Sequence, residues 1–147
     1  MSTMGSDSAC MAQHLNHVAI AVKDMDEALG MYGDLFGLDP SEVEDVEDQG
    51  VRAALLKVGG SQVELIQPLD TESGVAKFIE RRGPGLHHVC FEVDGLQGAL
   101  DRLDAEEGVQ LIDKTPRQGL AGMIAFLHPR STGGTLIELV EAETAHR

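Results

Sequence analysis

Apolar and polar residues alternate along "LNHVAIAV" (15–22): Val18, Ile20 and Val22 fall on one face, His17, Ala19 and Ala21 on the other. That predicts a strand whose bulky face meets a helical layer, while its small face leaves room in front of a histidine. The period then changes. In "DMDEALGMYGDLFG" the apolar residues Met25, Ala28, Leu29, Tyr32, Leu35 and Phe36 recur at helical spacing, with Asp24 as N-cap and Gly37 as a C-terminal stop. The acidic stretch 41–48 reads as a turn region, followed by a strand near 51–58, a "GGS" turn and a strand carrying Glu64. The order is β-α-β-β, with room for one further short strand.

The same order returns later in the chain. A shift of 71 residues lays 15–29 on 86–100 with six of fifteen positions identical, His17 falling on His88. Near the ends of the halves "QVELIQP" (62–68) resembles "LIELVEA" (136–142), which sets Glu64 opposite Glu138. The second half predicts a strand over 86–93, a short helix on Leu96, Ala99, Leu100 and Leu103, and a strand near 109–112. A "PRQGLAG" loop, a strand over 123–128, a "TGG" turn and a strand over 135–141 follow. Between the halves, "ESGVAKFIERRGPG" predicts a helix over 73–82 on Val75, Phe78 and Ile79, ended by Gly83 and Pro84. The expectation is one domain over 14–143, made of modules 14–69 and 86–142 joined by that helix. Residues 1–13 are Ser-rich, without the basic and apolar regions of a signal peptide, and read as a disordered tail in which Met11 serves as a start as well as Met1.

Composition narrows the function classes. The chain of 147 residues holds 11 Lys and Arg against 25 Asp and Glu, a net charge of −14, with no Trp and one Tyr. A nucleic-acid binder needs a basic stripe and stacking aromatics, so nucleic acid is not an expected partner. No apolar run reaches the roughly 18 residues of a membrane span, and Cys10 and Cys90 suggest no disulfide framework. A soluble, cytoplasmic protein is expected. The basic residues cluster as Lys77, Arg81 and Arg82, then Lys114, Arg117 and Arg130. They are either solvated faces or the local cations that an anionic ligand requires.

Taken alone, a histidine on a strand is ordinarily a core or rim residue. A glutamate between apolar neighbours is less ordinary, because burying an unpaired carboxylate is costly. Two histidines and two glutamates at equivalent repeat positions call for a common cause. A divalent cation is the simplest, since it compensates both carboxylates and uses both imidazoles. The N2O2 set His17, Glu64, His88 and Glu138 suits a five- or six-coordinate Co, Ni, Mn, Fe or Zn with open positions, not a closed structural zinc. His87 should face the other side of the sheet, His14 and His146 lie near the termini as surface residues, and His128 sits at a strand end where either role stays open.

At these motifs the chain resembles the vicinal oxygen chelate (glyoxalase-like) superfamily, and within it the methylmalonyl-CoA epimerases. The resemblance runs over 15–141 and rests on "LNHVAIAVKDMDEAL", "GLHHVCFEVD" and "FLHPRSTGGTLIEL". It implies an α+β fold, two βαβββ modules forming a cupped, partly open mixed sheet barrel with helices outside. It implies that His17, Glu64, His88 and Glu138 bind a divalent metal, usually Co2+ with Zn2+, Ni2+ or Mn2+ as alternatives. The implied reaction interconverts (R)- and (S)-methylmalonyl-CoA by proton transfer at C2 through a metal-stabilised enolate, in propionate metabolism. Glu138 is the implied acid/base group, and Glu64, its counterpart in the repeat, is expected to take the second such role. Some epimerases carry a Glu in the strand after "QGV" as a second base; Ala53 stands there in this chain. The implied partners are an acyl-CoA substrate and a second copy in a homodimer. A glyoxalase I-like lactoylglutathione lyase, an extradiol-type dioxygenase and a metal-free small-molecule binding protein are the alternative readings.

Overall fold

A computed structural model of the protein describes residues 11–146. The elements run β1 (Ala12–Ala21), α1 (Met25–Phe36), β2 (Pro40–Val46), β3 (Val51–Val58), β4 (Ser61–Pro68) and α2 (Gly74–Arg82). Then come β5 (Gly85–Val93), α3 (Leu96–Asp104), β6 (Arg117–Gly119), β7 (Gly122–Leu127) and β8 (Leu136–Glu141). The order is βαβββ twice, with α2 as the connector, an α+β chain as the resemblance implies. Two compact units emerge, one over 17–89 and the other combining the start of β1 with 90–146. Their boundaries fall inside β1 and β5, not at the ends of the two modules.

In the 17–89 unit the hydrogen-bonded order is β2-β3-β4-β1. β3 and β4 form a tight hairpin, Val58 opposite Ser61, while β4 and β1 run parallel with Glu64 opposite Ala19. One sheet face is closed by α1. Val22, Met25, Ala28, Ala54, Leu56 and Leu65 form its core, with Ile20 and Tyr32 packed on them. The Asp24 carboxylate accepts from the Glu27 N–H at 3.0 Å, and Gly37 ends the helix at φ 69°, a left-handed turn that a side chain would strain. The last turn of α1 departs from its pattern: Leu35 and Phe36 are exposed, although their spacing predicts burial. The segment 41–48 is also corrected, because 40–46 is a strand and not a turn. As an edge strand bonded to β3 alone, β2 tolerates the charges of Glu44 and Asp45 in solvent, and such charges discourage pairing with another chain.

In the 90–146 unit the order is β5-β8-β7-β6. α3 closes one face through Leu96, Ala99 and Leu100 against Val93, Ala125 and Leu139. Gly95, which precedes α3, has no side chain to cap it. The Glu141 carboxylate does so from β8, accepting from the N–H groups of Gly95 and Leu96 at 2.9 Å each, where the helix dipole favours a negative charge. The other face holds Cys90, Ile124, Phe126 and Val140. The strand predicted near 109–112 reduces to a single bridge between Leu111 and Leu127. The second strand of this module lies instead at 117–119, inside the predicted loop. The N-terminal expectation changes as well: Ala12 and Gln13 belong to β1 and Met11 packs against the α3 core, while residues 1–10 lie outside those described.

Candidate metal centre

Strand alternation places the donors. On β1 the residues His17, Ala19 and Ala21 are fully buried and share a face, as the pattern requires. The parallel register sets His17 beside Gln62 and Ala19 beside Glu64, so the imidazole and the carboxylate lie diagonally on one sheet face. The β3–β4 ladder puts Leu55 beside Glu64 and Ala53 beside Ile66, which brings Ala53 onto that face too. The position where some epimerases carry a glutamate therefore presents a buried methyl group on the sheet face of Glu64.

Glu64 Oε1 stands 3.4 Å from His17 Nε2 and 3.6 Å from His88 Nε2. The two imidazole rings meet edge to face, centroids 5.6 Å apart at 74°. These nitrogen–oxygen separations exceed a good hydrogen bond, which runs to about 3.2 Å. They suit neighbouring ligands of one ion: donors about 2.1 Å from a cation and 90–120° apart are separated by roughly 3.0–3.6 Å. The donor chemistry agrees, since a buried carboxylate facing two imidazole nitrogens is compensated by a positive charge placed among them. Arrangement and chemistry both fit a divalent cation.

In the other unit, Glu138 is 4% exposed on β8 and pairs across the ladder with Phe126 of β7. In the 17–89 unit His17, Glu64 and His88 make a buried His/Glu group, each with one donor atom to offer, that could hold a metal ion. Arg117 lies opposite Ile124 on the face that carries Phe126 and Glu138. Its guanidinium is held from two sides: Nε donates to Asp113 Oδ1 at 3.0 Å, and the Phe126 ring lies 5.6 Å away. Asp113 is itself anchored, its Oδ2 accepting from the Phe126 N–H at 2.9 Å. Of the six basic residues in the two sequence clusters, Arg117 is half-buried and the other five are exposed.

The remaining histidines divide as follows. His87 is half-buried, and its Nδ1 lies 2.8 Å from the Nδ1 of His88. His128 caps the short helical turn after β7 by accepting from the Arg130 N–H at 3.1 Å. His146 is exposed, and His14 is half-buried on β1. Sequence reasoning missed Glu92, which is 1% exposed and accepts from the Asn16 side-chain amide at 3.0 Å. The signal was present: "FEV" (91–93) sets a carboxylate between apolar neighbours, as "VEL" and "IEL" do.

Among the described residues no helix is long and apolar enough to cross a membrane. The family model of the Glyoxalase/Bleomycin resistance protein/Dioxygenase superfamily matches residues 16–126. The mitochondrial methylmalonyl-CoA epimerase of Dictyostelium discoideum is 38% identical over 86% of this chain and 77% of its own length. The crystal structure of methylmalonyl-CoA epimerase from Mycobacterium tuberculosis superposes with a TM-score of 0.86 at 42% identity, covering 91% of each chain. A methylmalonyl-CoA epimerase in complex with methylmalonyl-CoA and NH4+ superposes with a TM-score of 0.85 at 30% identity, over 92% of this chain and 99% of that one.

Proposed function

The chain belongs to the Glyoxalase/Bleomycin resistance protein/Dioxygenase superfamily, and from that premise we propose that it is an epimerase interconverting (R)- and (S)-methylmalonyl-CoA. The observation that carries the reading is Glu64 Oε1 beside the Nε2 atoms of His17 and His88, at 3.4 and 3.6 Å, in a chain so similar to named epimerases. His17, Glu64 and His88 hold a divalent ion, Co2+ by preference over Zn2+, Ni2+ or Mn2+. Glu138, the repeat counterpart of Glu64, supplies the fourth donor. The bound ion supplies a Lewis acid that offsets the negative charge which loss of the C2 proton puts on the thioester oxygen.

Inversion at C2 needs a proton removed on one face and returned on the other. Glu64 and Glu138, at pseudo-equivalent places in the two modules, take those two roles. Ala53 has no proton to exchange, so Glu64 carries the work done elsewhere by a glutamate at that position. Ala19, Ala21 and Ala53 keep the sheet face around Glu64 low, which leaves room for an acyl group. Arg117, with Nε committed to Asp113, presents its outer nitrogens to an anionic part of the substrate. Residues 14–143 work as one domain, and the protein acts as a cytoplasmic homodimer.

The test combines metal analysis of the purified protein with exchange at C2 of methylmalonyl-CoA in deuterated water. About one divalent ion per chain and deuterium entering both isomers are expected. Absence of metal, or turnover of methylglyoxal with a thiol in place of methylmalonyl-CoA, overturns the reading in favour of a binding protein or a lyase.

A further inference from the structure

His87 carries an arrangement that the epimerase reading does not use. Alternation sends its side chain to the opposite sheet face from His88, and yet their Nδ1 atoms lie 2.8 Å apart. The contact is possible because Nδ1 sits next to Cγ, close to the main chain, where neighbouring side chains have not yet diverged. Nε2 lies at the far end of the ring, and in His88 that atom faces Glu64 Oε1 at 3.6 Å. The Phe78 ring of α2 meets His87 edge to face, centroids 4.8 Å apart at 72°. Arg82, one turn further along α2, lies over the same phenyl ring at 5.7 Å. His87 is thus supported from the helix that joins the modules.

Resting on the metal reading above, we infer that His87 is a positioning residue: it accepts a hydrogen bond from His88 and so sets which nitrogen of His88 offers its lone pair to the ion. The proton count forces the direction. A neutral imidazole carries one ring proton, and a nitrogen that donates its lone pair to a cation cannot keep it. With Nε2 of His88 turned toward the cation, the proton resides on Nδ1. Two nitrogens 2.8 Å apart share one hydrogen, so His87 Nδ1 is bare and His87 carries its own proton on Nε2. An acceptor behind a ligating histidine fixes its ring and raises its basicity, and losing such a partner typically costs about 10–100-fold in metal affinity.

The experiment titrates metal-free protein with Co2+, followed by visible absorbance, for wild type, H87F and H87N. Phenylalanine keeps a ring against Phe78 but has no acceptor. Asparagine places an acceptor oxygen near the position of Nδ1. H87F should bind Co2+ about 10–100-fold more weakly, with an altered visible spectrum, and H87N should stay within a few-fold of wild type. Wild-type affinity in H87F overturns the inference, and so does an H87N that falls as far as H87F. Should H87F fail to fold by circular dichroism, nitrogen–proton NMR of the Zn2+-loaded wild type decides. Protons on His88 Nδ1 and His87 Nε2 support the inference, and any other placement sinks it. If wild-type protein binds no Co2+, the metal reading itself fails, which is a separate outcome.

Discussion

Glu64 is the residue on which the proposed chemistry concentrates, because it is both a donor to the ion and one of the two bases. Gln keeps an oxygen donor but cannot take a proton. Glu64→Gln should therefore retain the metal and lose most epimerisation, while still exchanging the C2 proton of one isomer. Metal analysis with isomer-resolved exchange checks this, and full epimerase activity would remove Glu64 from its role. Arg117 is addressed by a second substitution. A hydrogen bond to a charged group contributes about 1.5–3 kcal/mol, so Arg117→Met should raise KM by roughly 10–100-fold and leave kcat nearly unchanged. A drop in kcat alone would contradict substrate anchoring. At this scale the donors were legible, because carboxylates between apolar neighbours and repeated histidines stand out in a strand. Glu92 carried the same local signal, but its repeat counterpart is Ala21, so comparison of the halves passed over it. Its Asn16 partner is 76 positions away in the chain, and no local pattern reports such a contact.

The elements that failed to show in the pattern are the edge strands. β2 and β6 each bond to one neighbour; β2 faces solvent broadly and β6 spans three residues, so neither shows the alternation that marks β1 and β5. Glycine has opposite meanings in the two element types. Gly98 is exposed within α3, with open space where a Cβ would stand. Gly98→Ala should stabilise the protein by about 0.5–1 kcal/mol, since alanine loses less backbone entropy on entering a helix. Gly122, at the start of β7, has φ +136°, and a Cβ there would lie 2.7 Å from the carbonyl oxygen of Thr144. That segment is pinned, because Thr144 Oγ1 accepts from the Met123 N–H at 3.0 Å. Gly122→Ala should cost about 1–3 kcal/mol. Urea denaturation of both variants gives the two signs, and equal effects would disprove the distinction.

For the whole molecule, the proposed ion is also a stability term. A ligand bound to the native state at about a hundred times its dissociation constant contributes about 2.7 kcal/mol, equivalent to roughly 5–10 °C in Tm for a chain of this size. Chelation followed by calorimetry should show a downward shift of that order, restored by added Co2+; an unchanged Tm would argue against a tightly held ion. What the sequence determined by itself was local and periodic: which residues face which side of a strand, where α1 is capped, and that the chain repeats a β-α-β-β order bearing His and Glu. Tertiary structure decided the register. His17 and Glu64 are 47 positions apart, and the parallel pairing of β1 with β4 sets them diagonally on one face. Side-chain alternation states only the face, whereas a register is the outcome of packing two distant strands against a common helix. The same holds for the guanidinium of Arg117 between Asp113 and Phe126. The approach of His87 to the back of His88 adds a further case, in which neighbours assigned to opposite faces touch close to the main chain.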